Sequence, residues 1–281
     1  MTIRDSFDLG DCEVNSVPIL LYHGITNSTC EQMMPFAVTP PTLKRHLDAV
    51  QERGYRCLTV SDFIDQRGRQ EIGHNDKVAL ITFDDGYADF VENALPAMLE
   101  RNIPSTIYIT TGWIDGGMSS PTPRPDDRMM TWRQVAELPQ ANVEVGSHSH
   151  SHPQMDTLDV THALDELTRS KALLEHAIGR SVRTFAYPHG YSHARLRRQV
   201  AAAGYDSGAA VRSAFSHVND NAFRLARLML FSDTSSETVE RWLDGAGVPL
   251  APRFEHPKTR ARRISRRTKA LVQGKPGTDY A

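Results

Sequence analysis

Short apolar, β-branched runs alternate with helix-patterned segments along almost the whole chain, and few folds accept that alternation. The runs are VPILLYH (17–23), CLTV (57–60), VALITF (78–83), STIYIT (105–110), VEVGSH (143–148) and TFAYP (184–188), with a further strand near 225–231. Between and after them the pattern predicts helices near 41–53, 88–101, 158–178, 193–203 and 235–244. Strands separated in this way do not pair through hairpins; they lie parallel, joined by helical crossovers, which makes the expected class α/β with a parallel sheet or barrel. The helix at 158–178 is marked by Leu158, Ala163, Leu164, Leu167, Ala172, Leu173 and Ala177 at helical spacing, with Gly179 as its stop. The stretch 112–130, rich in Gly, Pro, Ser and Asp, reads as a long surface loop.

With 281 residues, 40% of them hydrophobic, the chain can bury one large core, and 17–250 is expected to be that domain. Residues 1–16 form an acidic extension with no apolar segment long enough for a secretion signal or a membrane span, so the expectation is a soluble, cytoplasmic protein. Cys12, Cys30 and Cys57 are odd in number and lack CxxC spacing, which argues against a disulfide framework or a thiolate zinc site. The net charge of −2 conceals an asymmetry: residues 251–281 hold nine Lys or Arg against only Glu255 and Asp279. This basic tail is expected to be flexible, either merely solvated or meeting phosphates at an anionic membrane or a pyrophosphate-linked precursor. No nucleic-acid motif accompanies it, and no nucleic-acid partner is expected.

In parallel α/β folds chemistry gathers at the carboxyl ends of the strands. The polar signals fall there: YH closes the first run, DDGY closes VALITF, SHSHSHP follows VEVG, and AYPHG ends the strand after the long helix. Asp84 and Asp85 repel each other, and as strand neighbours they point to opposite sides, which does not suit a facing glycosidase pair. A divalent cation resolves the conflict, because one carboxylate can coordinate it while the other stays ionised as a base beside the acidified water. A bare Asp-Asp-Gly is also an ordinary strand-to-helix turn. His148, His150 and His152 shift the balance, since nitrogen and oxygen ligands plus an open position are what a catalytic zinc site needs. Strand geometry would bring alternate residues together, whereas a turn announced by Pro153 favours His148 with His152.

In this order, TFDDG (82–86), HSHSHP (148–153) and FAYPHG (185–190) resemble the three main motifs of the polysaccharide deacetylases, the carbohydrate esterases that share the NodB homology domain. VPILLYHGI and LKRHLDAVQERGY resemble the N-terminal segment of one branch, and the likeness spans about residues 17–235. The resemblance implies an irregular (β/α) barrel and metal-dependent hydrolysis of an acetyl group from an N-acetylated sugar. Carried over by position, Asp84 is the general base, and Asp85, His148 and His152 hold a divalent metal, zinc first, with cobalt or nickel as alternatives. His150 falls at a variable position and is a neighbour. The oxyanion donor falls in the Pro188–His189–Gly190 turn, at the amide of His189, because Pro188 has none.

Two departures accompany the likeness. The motif arginine that orients the base in many members is replaced by Ala186, with Arg183 nearby, so the orienting partner is unassigned. The late histidine that serves as general acid is absent from RLARLMLFSDTS, which makes His23, at the end of the first strand, the candidate acid and His189 the second choice. Tyr87, Tyr187 with Pro188, Trp113 and Trp132 are candidates to line a sugar site, with core packing as the alternative for each. The expected partner is an N-acetylated sugar, oligosaccharide, or lipid- or nucleotide-linked glycan precursor. Alternative activities are an O-acetyl esterase, a deacylase of a small aminosugar metabolite, or a non-catalytic sugar-binding protein.

Overall fold

The computed structural model describes residues 16–73, 75–114, 126–252 and 257–273. Its main sheet contains β1 (Ile19–Tyr22), β2 (Arg56–Leu58), β3 (Val78–Phe83), β4 (Ser105–Ile109), β5 (Val143–Ser147), β6 (Thr184–Ala186), β7 (Ser207–Val211) and β8 (Leu225–Met229). All their pairings are parallel, in the order β1–β8–β7–β6–β5–β4–β3–β2. Strand β3 also pairs with β1, from Ile19 opposite Leu80 to Tyr22 opposite Phe83, which closes seven strands into a barrel. β2 attaches to the lower part of β3, Arg56 opposite Val78. The expected (β/α) barrel is the fold.

The strands alternate in two directions, as a barrel covered by helices requires. Ile19, Leu80, Tyr108, Ala186 and Ala209 pack in one cluster, while Leu20, Ile81, Phe83, Ile107 and Phe185 join the larger core beneath the helices. Low on the inner face the Glu144 carboxylate accepts from the hydroxyls of Thr106 (2.8 Å) and Thr184 (3.1 Å), and from the backbone N–H (3.1 Å) and the hydroxyl of Ser61. This polar layer fills the bottom of the barrel and leaves the upper end for the site.

Around the barrel run α1 (Pro40–Glu52), α2 (Val60–Gly68), α3 (Leu95–Glu100), α4 (Trp132–Glu137), α5 (Val160–Ile178), α6 (Ala194–Ala202), α7 (Ser236–Leu243) and α8 (Pro257–Gln273). α5 shows how the sequence sets an element. The Asp159 side chain accepts from the N–H of His162 at its start, Ala163, Leu167, Ser170 and Leu174 form the buried stripe, and Gly179 ends it at φ 67°. The single helix expected over 88–101 is instead a π-helical turn, Phe90–Ala94, leading into α3. Pro96 has no N–H to give a continuous α-ladder, so the backbone changes its hydrogen-bond register there. α2 and α4, both short, and the barrel strand β7 were not anticipated.

The basic tail departs from the flexible arm expected of it: residues 257–273 are helical, and Arg266 of α8 pairs with Asp156 at 2.7 Å. Of the long loop at 112–130, residues 115–125 lie outside the described residues, as do residues 1–15 of the acidic extension. Among the described residues, no helix is long and apolar enough to cross a membrane.

Candidate active site

Strand β3 delivers Asp84 by simple alternation, because Leu80, Thr82 and Asp84 share the inner face. The N–H of Asp84 donates to the carbonyl of Tyr22 (3.0 Å), continuing the β1–β3 ladder by one residue. Asp85 ought to face the other way. It turns back into the barrel mouth because its backbone is left-handed (φ 74°), followed by Gly86 at φ 97°. Bonds from the Thr110 N–H to the Asp85 carbonyl (3.2 Å) and from the Met130 N–H to the Gly86 carbonyl (3.0 Å) hold that turn.

His148 follows β5 on its inner face. Its Nδ1 donates to the Ala186 carbonyl at 2.9 Å, and since a carbonyl only accepts, Nε2 carries the lone pair. That Nε2 lies 3.5 Å from Asp85 Oδ1 and 3.6 Å from Asp84 Oδ2. The loop beyond it bends sharply, with Ser149 at φ 68° and His152 at φ 57°, and returns His152 Nε2 to 3.5 Å from the same Asp85 oxygen. Glu166 of α5 clamps the bend, accepting from the N–H groups of His150 and Ser151 (2.8 Å each) and from the Ser151 hydroxyl (2.5 Å).

The ligand atoms of Asp85, His148 and His152 thus lie within 4.8 Å of one another, all three residues buried. Asp85 Oδ1 has no hydrogen-bond partner although it is buried. An orphaned carboxylate oxygen facing two imidazole nitrogens is costly unless a cation sits among them, so this donor set fits a divalent ion of the zinc class. His150 stands apart, its Nδ1 engaged with the Thr111 hydroxyl at 2.9 Å.

The partner of Asp84 is Arg227, which sequence reasoning missed. Its guanidinium grips the carboxylate in fork geometry, Nη1 to Oδ1 at 2.7 Å and Nη2 to Oδ2 at 2.8 Å, and is itself fully buried. Arg183, the residue near the expected motif position, points elsewhere and binds Asp65 and Asp206. The signal lay in LARLM (225–229), where a charge interrupts an otherwise apolar strand whose first four residues are buried. A buried arginine requires a buried acid.

The two aspartates are driven apart electrically. Burial pushes Asp84 up, but the charge and the paired hydrogen bonds of Arg227 outweigh it and hold the carboxyl below its ordinary value. Asp85 is pushed well above its ordinary value by burial and by the charge on Asp84. Burial lowers His148 and His152, keeping both imidazoles neutral, as ligands must be.

The other candidates divide. His23 ends β1 close enough to feel Asp84, Arg227 and His148, but burial holds its imidazole down to about 4, so it stands neutral at pH 7. His189 lies in the third-motif turn at φ 57°, its ring 4.8 Å from that of His152. A Cβ on Gly190 would come within 2.5 Å of Val211, so only glycine lets that turn sit against β7. The proposed sugar-lining residues fare differently. Tyr187 is buried core, its hydroxyl donating to the Phe223 carbonyl (3.0 Å), and Pro188 beside it is buried. Trp113 is fully buried behind His152, ring to ring at 4.8 Å. Tyr87 is buried too, its hydroxyl placed between the sulfur of Met33 (3.1 Å) and its hydrogen-bond partner, the Asp85 carboxylate. Trp132 faces the outer helices with Leu173, His176 and Ala177. Aromatic residues near a rim are large enough to be drawn into packing, and these four were.

A family model described as polysaccharide deacetylase matches residues 71–208, the span from before Asp84 to beyond the third-motif turn. The Bacillus subtilis protein YxkH, which bears a polysaccharide deacetylase designation, is 22% identical over 81% of this chain and 76% of its own length. The poly-β-1,6-N-acetyl-D-glucosamine N-deacetylase of Staphylococcus aureus is 19% identical over 76% of this chain and 75% of its own. The solved structure of the Streptococcus pyogenes deacetylase PplD superposes with a TM-score of 0.70 at 21% identity, covering 80% of this chain and 97% of that one. With the ordered motifs, the barrel and these matches in agreement, the chain is a member of the polysaccharide deacetylase family.

Proposed function

We propose that the protein is a metal-dependent hydrolase that removes the acetyl group from N-acetylhexosamine units of a glycan or glycoconjugate, releasing acetate and cleaving a non-peptide C–N bond. The observation that carries this reading is the division of labour between adjacent aspartates: Asp84 in the grip of Arg227, Asp85 orphaned between two neutral imidazoles. Asp85, His148 and His152 would hold a zinc-class ion, which would supply Lewis acidity to the acetyl carbonyl and to water. Arg227 keeps Asp84 ionised and aimed, so this carboxylate takes the proton from the water whose oxygen adds to the acetyl carbon. The His189 amide, in the turn after Pro188, donates to the developing oxyanion. The C–N bond then breaks and the amine leaves with a proton. His23 is neutral at pH 7, so any proton it gives the amine must reach it during turnover, Asp84 being the nearby source; His189 is the second candidate.

The non-catalytic alternative loses one of its supports, because Arg227 does from β8 what a third-motif arginine would have done. The test is acetate release by metal-stripped protein, with and without added zinc, from free, oligomeric, lipid-linked and nucleotide-linked N-acetylglucosamine. The S. aureus relatives make β-1,6-linked oligomers the first to try. Zinc-restored release that falls at least a hundredfold in Asp84→Asn is expected. Release that ignores zinc would sink the mechanism.

A further inference from the structure

Helix α8 meets the body of the protein on one side. Among its described residues Arg263, Arg266 and Ala270 are half-buried, at the spacing of a single helix face. From that face Arg266 reaches Asp156 at 2.7 Å and lies 3.6 Å from the centre of the Tyr191 ring. The opposite face holds Ala261, Ile264, Ser265, Thr268 and Val272, all exposed and again at helical spacing. None of the five is charged, and two are large and apolar: Ile264 is 55% exposed and Val272 82%. The Thr268 hydroxyl donates to the Ile264 carbonyl at 3.0 Å, so its hydrogen lies against the helix backbone.

Cations flank this uncharged face on both sides, exposed Arg267 on one and exposed Arg262 and Lys269 on the other. α8 contains no Asp or Glu to offset them. The basic surface continues onto α6, where Arg195 and Arg198 are exposed. Burial, and then the charges of Arg267, Arg263, Arg197 and Arg195, hold the imidazole of His193 down to about 4, which places the arginines of both helices around one point. His193 is the N-cap of α6, two residues beyond Tyr191, whose ring stacks on His189 of the third-motif turn at 6.2 Å. The surface therefore lies beside the mouth of the barrel.

Two features together select the occupant. A soluble polyanion would satisfy the arginines but leave Ile264 and Val272 in water. A second copy of the chain would cover those two side chains but press one cationic flank against another. An anionic bilayer matches both features, because an apolar stripe can enter the boundary between headgroups and acyl chains while long basic side chains beside it reach the lipid phosphates.

We infer that the outer face of α8, with the adjoining arginines of α6, is a peripheral docking surface for bilayers containing anionic phospholipid, and that it holds the catalytic mouth at the lipid surface. α8 lies along such a membrane; among the described residues no helix is long and apolar enough to cross one. The inner face keeps its contacts with Asp156 and Tyr191 throughout, so docking requires no rearrangement of the barrel. The surface goes beyond the hydrolytic reading and is tested without turnover.

The experiment is co-sedimentation of the full chain with vesicles of phosphatidylcholine alone, and of phosphatidylcholine mixed with phosphatidylglycerol, at low and high salt. Binding is expected to the mixed vesicles only, and should weaken at least tenfold at high salt. Arg262→Gln and Arg267→Gln should each weaken it about fivefold. Ile264→Ser combined with Val272→Ser should weaken it about tenfold at either salt concentration, because apolar contact is not screened. All four positions are exposed, and each variant is expected to keep the wild-type melting temperature. Failure to bind the mixed vesicles, or binding that none of these variants weakens, overturns the inference. Binding to inorganic polyphosphate that matches vesicle binding and ignores the Ile264 and Val272 changes overturns it in favour of a soluble polyanion. A dimer seen by light scattering that the same double variant dissociates, with no vesicle binding, overturns it in favour of a second copy.

Discussion

Asp85, Ser149, His152 and His189 all hold positive φ, a conformation that costs a residue with a Cβ on the order of 1 kcal/mol or more. Glycine would be cheaper at each position, so what is kept there is the side chain. Asp85 adds an electrostatic cost, its carboxylate buried beside that of Asp84. Asp85→Asn is therefore expected to raise the melting temperature of the metal-free protein by a few degrees while abolishing the rise that zinc produces in the wild type, both read by calorimetry. An unchanged zinc response would remove Asp85 from the ligand set. Asp89 offers a separate test in pH. Burial pushes its carboxyl up to about 7, although the Ile25 N–H donates to it at 3.0 Å. The folded state thus retains a proton that the unfolded chain sheds near pH 4, and stability falls as pH rises from about 4 to about 7, by on the order of 2–4 kcal/mol. Asp89→Asn should flatten that fall; a stability curve of unchanged slope would contradict it.

Elements differ in how plainly their sequence announces them. Seven strands were legible because burial on both faces makes them continuous apolar runs, and α5 because a stripe, a cap and a glycine agree; β7 was not, because SGAAV is built mostly of small residues. α2 and α4 were not: α4 is only six residues long, and α2 follows the strand run 57–60 directly, its Val60 counted there. His148 and His152 were legible as a pair from the turn that Pro153 announces, yet the devices that hold them together were not. Their meeting depends on two left-handed residues and on Glu166, which lies on a different element and reads in sequence as one more helix-surface charge. Removing it with Glu166→Ala would strand two N–H groups and a hydroxyl, costing about 1–3 kcal/mol. Because the strained loop carries His152, zinc affinity should fall tenfold or more, measured by titration of the purified variant. A stability loss with zinc affinity intact would mean that the loop keeps its shape without the clamp.

For the molecule as a whole, charge composition was the least faithful guide. The barrel followed from alternation; Arg227 was missed although it stands as a charge in an apolar strand, and the basic tail read as a detached arm because a helix with few apolar residues has no stripe to dock. It docks through an arginine instead. Asp156, just beyond the His148–His152 loop, is fully buried, and Arg266 supplies its salt bridge at 2.7 Å. The same guanidinium lies 3.6 Å from the centre of the Tyr191 ring, which stacks on His189 at 6.2 Å. α8 therefore braces, from outside, the two loops that bring His152 and His189 together. A buried pair loses about 3–5 kcal/mol when one partner is removed, less where, as with Arg266, part of the side chain meets water. Arg266→Ala is accordingly expected to destabilise the protein by about 2 kcal/mol in denaturant titration and to speed hydrogen exchange at residues 155–157 and 189–191. A tail that served only as a tether would leave both unchanged, and that result would return residues 257–273 to the role their composition first suggested.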